Sequence, residues 1–154
     1  KFDALVRRKF LKTYEAVVRA ETASWRKTPK GRLAEIIVLD QFSRNMFRGK
    51  PEMFKYDYLS LALAQEAVAL GIDTKFSRWE KVFLYLPFMH SESKKVQRDS
   101  LRLFKSLKNK QNAWFANDHK KIIDRFGRYP HRNKILGRKS TAAEKRFMLT
   151  HKGY

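Results

Sequence analysis

Apolar residues recur at steps of three and four through most of the chain. Phe2, Leu5, Val6, Phe10, Tyr14, Val17 and Val18 predict an amphipathic helix over 2–22. "SWRKTPKG" interrupts the pattern, with Thr28 as an N-cap and Pro29 at the first helical position. The next helix, 30–47, carries "LAEIIVLDQF" and is apolar nearly all round, which predicts a central, buried element. "RGKP" ends it. Asp57 is placed to cap a helix that runs to Gly71, and Ser77 and Glu80 have capping-box spacing ahead of "VFLYL". Pro87 should break or kink that segment. Ser91 or Ser93 can cap a polar helix over 93–108. Another helix spans 111–126 and is closed by Gly127, and Thr141 with Glu144 boxes a short last helix containing Phe147. No segment alternates as a strand does. The pattern predicts an all-α fold of about seven helices, packed in antiparallel pairs within one domain, 1–154.

Composition narrows the chemistry. There is no cysteine, which excludes disulfides, thiolate metal sites and a cysteine nucleophile. No apolar run approaches the ~20 residues that a membrane span needs, so the expectation is a soluble, cytoplasmic protein. The net charge of +20 is uneven. Residues 1–50 hold 13 Lys/Arg against 5 Asp/Glu, residues 51–92 hold 4 against 6, and residues 93–154 hold 18 against 4. Such basic ends are either a solvated surface or an attraction for polyanions and phosphorylated ligands.

Three polar clusters interrupt the apolar patterns. In "LDQFSRN", Asp40 and Arg44, and likewise Gln41 and Asn45, stand four apart and should meet on one helix face. They form either an internal ion pair with bridging amides or the lining of a polar pocket built from Gln41, Arg44 and Asn45. In "LPFMHSE", His90 and Glu92 follow the proline. A His near a carboxylate can be a general base, a metal ligand or a plain hydrogen-bonded pair. The third cluster is "FGRYPHRN", residues 126–133. His119 shares a helix face with Ile122 and Phe126 and should point inward. Arg128, His131, Arg132 and Asn133 follow one turn later. Arginine forks match carboxylate or phosphate, and histidine moves a proton near neutral pH. A loop pinned by buried arginines would carry the same residues. No phosphate-binding glycine loop, paired-His metalloprotease helix or nucleophile elbow is present. No spacing identifies a metal or cofactor, so both are left unknown, as is the oligomeric state.

"GRLAEIIVLDQFSRNMFRG", "FLYLPFMHSE" and "RFGRYPHRNKILGRKST" together resemble, in order and spacing, a bacterial family of unknown function, domain of unknown function 924. The resemblance covers nearly the whole chain. It implies an all-helical, tetratricopeptide-like superhelix. It directs attention to Asp40, Gln41, Arg44, Asn45, Arg48, His90, Ser91, Glu92, His119, Arg128, His131, Arg132 and Asn133. Ser43 stands where that family usually has proline, Tyr129 where it has phenylalanine, and Ala143 where an acidic residue is common. The Trp/Phe-rich segment that opens the family pattern does not precede Lys1, so the expectation is an N-terminally shortened chain.

Three functions follow as expectations. The first is a hydrolase or transferase acting on a small anionic substrate. It would use His90, Glu92, His119 and His131 for catalysis and Gln41, Arg44, Asn45, Arg128, Arg132 and Asn133 for binding, with Arg44, His90 and His131 converging on one cavity. The second is a helical-repeat module that binds a peptide or protein. The third is a nonspecific nucleic-acid binder acting through the basic ends, which needs a Lys/Arg face with exposed aromatics.

Overall fold

The computed structural model describes residues 1–151 and 153. Among them all regular structure is helical. The α-helices are α1 (Phe2–Val18), α2 (Pro29–Ile37), α3 (Ser43–Met46), α4 (Asp57–Ala69), α5 (Arg78–His90), α6 (Lys94–Ser106), α7 (Lys110–Phe126) and α8 (Ala142–Thr150). A π-helical turn, Val38–Phe42, joins α2 to α3 without a break, so the two form one rod. Counting that rod once leaves seven helices among the described residues, as the apolar periodicity predicts. The chain divides into two compact units, Lys1–Ser91 and Glu92–Tyr154.

In the first unit, α1 turns Val6, Tyr14 and Val17 inward against Val38, Leu39 and Met46 of the rod, with Phe10 and Phe42 packed alongside. The helix stops at Val18, four residues short of the periodicity's end, because Ala20 adopts a left-handed conformation (φ 58°) and reverses the chain. A 3-10 turn, Ala23–Lys27, follows. Thr28 then caps α2 by accepting the Gly31 N–H at 3.0 Å, as expected. Only glycine fits at 31, since a Cβ there would lie 2.0 Å from the Trp25 carbonyl oxygen. Glu35, 1 % exposed, faces this turn and accepts from the Thr22 hydroxyl and from Arg26, both at 2.7 Å. α4 packs against α2 and α5, and its buried residues are the small Ser60, Ala64 and Ala67, which let neighbouring backbones approach. The Ser77/Glu80 capping box opens α5 as expected. That helix continues through Pro87 to His90, so the proline costs a backbone hydrogen bond but does not end the element.

In the second unit, Ser93 caps α6 and Asn109 caps α7, and the two helices pack on each other across the link 107–109. Gly127 (φ 71°) closes α7 in the left-handed region that glycine adopts without strain. Ile122, Ile123 and Tyr129 form the core here, with Phe126 and Phe147 against them. The Thr141/Glu144 capping box starts α8.

Candidate functional site

In the Lys1–Ser91 unit the first cluster meets His90 of the second, whereas Glu92 belongs to the other unit. His90, the last residue of α5, places Nδ1 2.7 Å from Oδ1 of Asp40 in the π-turn. Asp40 is 1 % exposed. Its other oxygen accepts the Gln41 amide at 2.6 Å, and Arg44 Nη1 lies 3.4 Å from Oδ1 while donating to the Asp40 backbone carbonyl at 2.6 Å. Arg44 also grips Asp57 with both terminal nitrogens, each at 2.9 Å. Asp57 is therefore not the side-chain cap that its position suggests. α4 begins with no side-chain capping bond, and the Asp57 carboxylate is held by Arg44 instead. Buried ionic groups persist when each is met by opposite charge and by hydrogen bonds, and this cluster meets that condition.

Burial pushes the Asp40 carboxyl up, but the facing His90 and Arg44 and the Gln41 amide outweigh it and hold the group below the ordinary carboxylate range. Burial and the Arg44 charge push the His90 imidazole down, against the pull of Asp40. At neutral pH the pair is then a carboxylate facing a neutral imidazole. A carboxylate only accepts, so the proton between them sits on Nδ1 of His90 and the lone pair lies on Nε2. One tautomer and one ring orientation are thereby fixed.

The π-turn also changes which residues of the first cluster meet. Gln41 and Asn45, four apart, part company, because the turn inserts an extra residue into the helical repeat. Gln41 turns to Asp40, whereas Asn45 donates to Asp3 of α1 at 2.9 Å. Arg48 reaches the same aspartate at 2.5 and 3.1 Å. Asn45 and Arg48 thus tie α3 to the first turn of α1.

The remaining candidates lie in the Glu92–Tyr154 unit, organised around Tyr129. That ring is 1 % exposed, and its hydroxyl accepts the Gln97 amide at 2.9 Å. The guanidinium of Arg132, itself buried, lies 4.7 Å from the ring centroid, a cation–π distance. His131 and His119 contact the ring with centroids at 5.5 and 5.7 Å. His119 is buried, and its Nδ1 lies 2.8 Å from the Phe115 carbonyl, which only accepts. Glu92 accepts the Tyr129 N–H at 2.7 Å and both terminal nitrogens of Arg138 at 2.7 and 2.9 Å. Arg128 is committed to Glu144 at 2.6 and 2.9 Å and to the Lys139 carbonyl at 2.9 Å. Asn133 accepts from Arg138 and donates to Ser140 and Glu144. Arg128, Asn133 and Glu92 therefore fasten the octapeptide to its own unit, while Arg132, His131 and His119 gather on one aromatic ring.

Burial, followed by the Arg132 charge, holds His131 at about 4. This shift has a consequence for stability. The unfolded imidazole titrates near about 6.5. The stabilising contribution of the neutral folded ring is complete above that value and is lost as the pH falls through about 4. Burial depresses His90 in the same direction. Urea unfolding at pH 7, 5.5 and 4.5 should show a steady loss of stability, and His131→Phe should flatten it. An unchanged slope in that variant would remove His131 as the cause.

Sequence reasoning did not single out Asp57, Arg138, Gln97 or Glu144 as partners. Glu144 carried a signal as a capping residue, but nothing local marks it as the buried partner of Arg128. No group of three or more His, Asp or Glu side chains able to hold a metal occurs among the described residues. Nor is any helix among them long and apolar enough to cross a membrane.

The chain has a solved relative. It is similar to the solved structure of a protein of unknown function from Agrobacterium tumefaciens, with a TM-score of 0.92 and 36 % sequence identity, over 99 % of this chain and 85 % of that one. No curated protein matches it. Residues 1–152 match the family described as bacterial protein of unknown function, DUF924, and the chain belongs to that family.

Proposed function

We propose that the protein is an enzyme of proton-assisted group transfer, a hydrolase or transferase, in which His90 is the general base and Asp40 its orienting partner. The reading rests on one observation. A buried carboxylate sits 2.7 Å from Nδ1 of an imidazole that burial and the Arg44 charge push toward its neutral form. With Asp40 on Nδ1, Nε2 is the ring nitrogen that would take a proton from water or from a hydroxyl nucleophile, and the carboxylate would stabilise the imidazolium that forms. Two further facts support it. The dyad is held by a π-turn, an element often found at functional sites. His90 is also the one member at a helix end, with 16 % of its side chain exposed. The net charge of +20 favours anionic substrates by drawing them to the surface.

A turnover screen tests the reading. The intact protein would be offered phosphate monoesters, phosphodiesters, carboxylate esters and anionic amides, beside His90→Gln and Asp40→Asn. Turnover of one class, lost in His90→Gln and reduced in Asp40→Asn while circular dichroism is unchanged, is the expected result. No turnover in any class, or equal turnover in wild type and His90→Gln, would sink the proposal.

A second reading, a module that binds a peptide or protein, is favoured by a separate feature of the first unit. Tyr14, Val18, Phe47 and Tyr56 line an open cleft of about 250 Å³ rimmed by Glu15, Arg19, Glu52 and Lys55. An aromatic floor with a mixed-charge rim suits an amphipathic peptide. Loss of peptide binding in Phe47→Ala, with His90→Gln silent, would favour this reading over the enzyme.

A further inference from the structure

The Glu92–Tyr154 unit holds 18 Lys/Arg and only 5 Asp/Glu. All five acids are already engaged inside the unit. Glu92 holds Arg138, Glu144 holds Arg128, Asp124 holds Lys120, Asp99 lies 3.6 Å from Arg102, and Asp118 faces His151. Lysines and arginines thus outnumber the acids more than threefold, and two helices carry many of them outward. On α6, Lys95, Arg98, Arg102 and Lys105 recur at steps of three and four, opposite the buried Gln97, Ser100 and Phe104. On α7, Lys110, Trp114, Lys121 and Arg125 fall within a ~60° sector at 3.6 residues per turn, opposite the buried Ala116, His119 and Ile123. All eight of these residues are exposed. Trp114, a residue 59 % exposed, interrupts the α7 row, its ring braced edge-on by Phe115 at 5.0 Å.

We infer that the outward faces of α6 and α7 bind single-stranded nucleic acid, the lysines and arginines on the phosphates and Trp114 on a base. The inference is independent of the proposed activity at His90. A row of cations alone would suit any polyanion, and the tryptophan narrows the choice. A large aromatic ring that stays in water within a cationic row costs hydrophobic free energy, and stacking on an unpaired base recovers it. A duplex hides the faces of its bases from such a ring. A membrane surface suits the pair less well. A helix lying on a bilayer needs an apolar face to bury, whereas α6 and α7 turn Leu103, Phe104, Ile122 and Ile123 into their own unit. Trp114 is the one large apolar residue among the eight.

Fluorescence anisotropy with a labelled single-stranded DNA 20-mer of mixed sequence tests this on the full chain. Affinity should fall with salt, with a slope set by roughly 0.7 per phosphate neutralised. The double variant Arg98→Gln/Lys121→Gln should make that slope shallower by about 1.4. Trp114→Ala should weaken binding roughly five- to hundredfold, the range of one base–aromatic stack, and the matching duplex should bind more weakly than the single strand. All three residues are on the surface, so the variants should fold, which circular dichroism checks. Wild-type affinity in Trp114→Ala, an unchanged slope in the double variant, or a duplex bound as tightly as the single strand would each overturn the inference. So would sedimentation with anionic phospholipid vesicles in the absence of any oligonucleotide binding.

Discussion

Asp40→Ala should destabilise the protein by about 3–5 kcal/mol, the cost of removing one partner from a buried ionic group. The carboxylate is 1 % exposed and serves Gln41, Arg44 and His90 at once. Without it, Arg44 keeps Asp57 but loses its second acid, and the His90 N–H faces an apolar methyl group in a cavity. Asp40→Asn retains the shape and should cost less. Its uncharged amide no longer pairs with the Arg44 charge, and it can present an N–H where His90 needs an acceptor. Urea unfolding of both variants gives the comparison. A loss below about 1 kcal/mol for the alanine variant, the size of a surface pair, would mean that the carboxylate is solvated in solution.

Tyr129→Ala should cost a similar amount, about 3–5 kcal/mol, as large aromatic truncations in cores do. Its ring is a shared wall for Arg132, His119 and His131 and belongs to the same core as Ile122 and Ile123. Tyr129→Phe isolates the hydroxyl. It leaves the ring in place but removes the acceptor for the Gln97 amide, for an expected loss of about 1–3 kcal/mol. The two variants together separate packing from hydrogen bonding. If the phenylalanine variant were as damaging as the alanine variant, the ring contacts would contribute little. Asp40 and Tyr129 also lie in different compact units. Should the units unfold in separate steps, each substitution will move only its own transition.

What could be read from the sequence was local. The boxes Ser77/Glu80 and Thr141/Glu144, the Thr28 cap with Pro29 and the Gly127 stop all depend on residues within one turn of each other, and the structure has them all. Apolar periodicity likewise leads to seven helices, because a stripe repeating every three to four residues has few other solutions. The long-range partners were not legible. Arg44 takes Asp57 from 13 positions away, Arg138 takes Glu92 from 46, and His90 meets Asp40 from 50. Nothing within a turn of these residues selects the partner. The π-turn was equally hidden. Its residues, Val38–Phe42, include no glycine or proline to mark a departure from an α-helix, and only tertiary packing repays the poorer hydrogen bonding. That is why the face-sharing argument worked for His119 on the regular α7 but failed for Gln41 and Asn45.

The same turn makes the rod from Pro29 to Met46 a gearbox with two output directions. Upstream of it, α2 works against α4 and α5; downstream, α3 works against α1. Length and phase are therefore coupled at this one place in the chain. Removing a single residue from 38–42 would restore a uniform thread, but it would rotate everything beyond by ~100°. Met46 would turn away from α1 and Arg44 away from Asp57, although neither residue had been altered. A lineage can exchange individual residues here, but it cannot easily lose one.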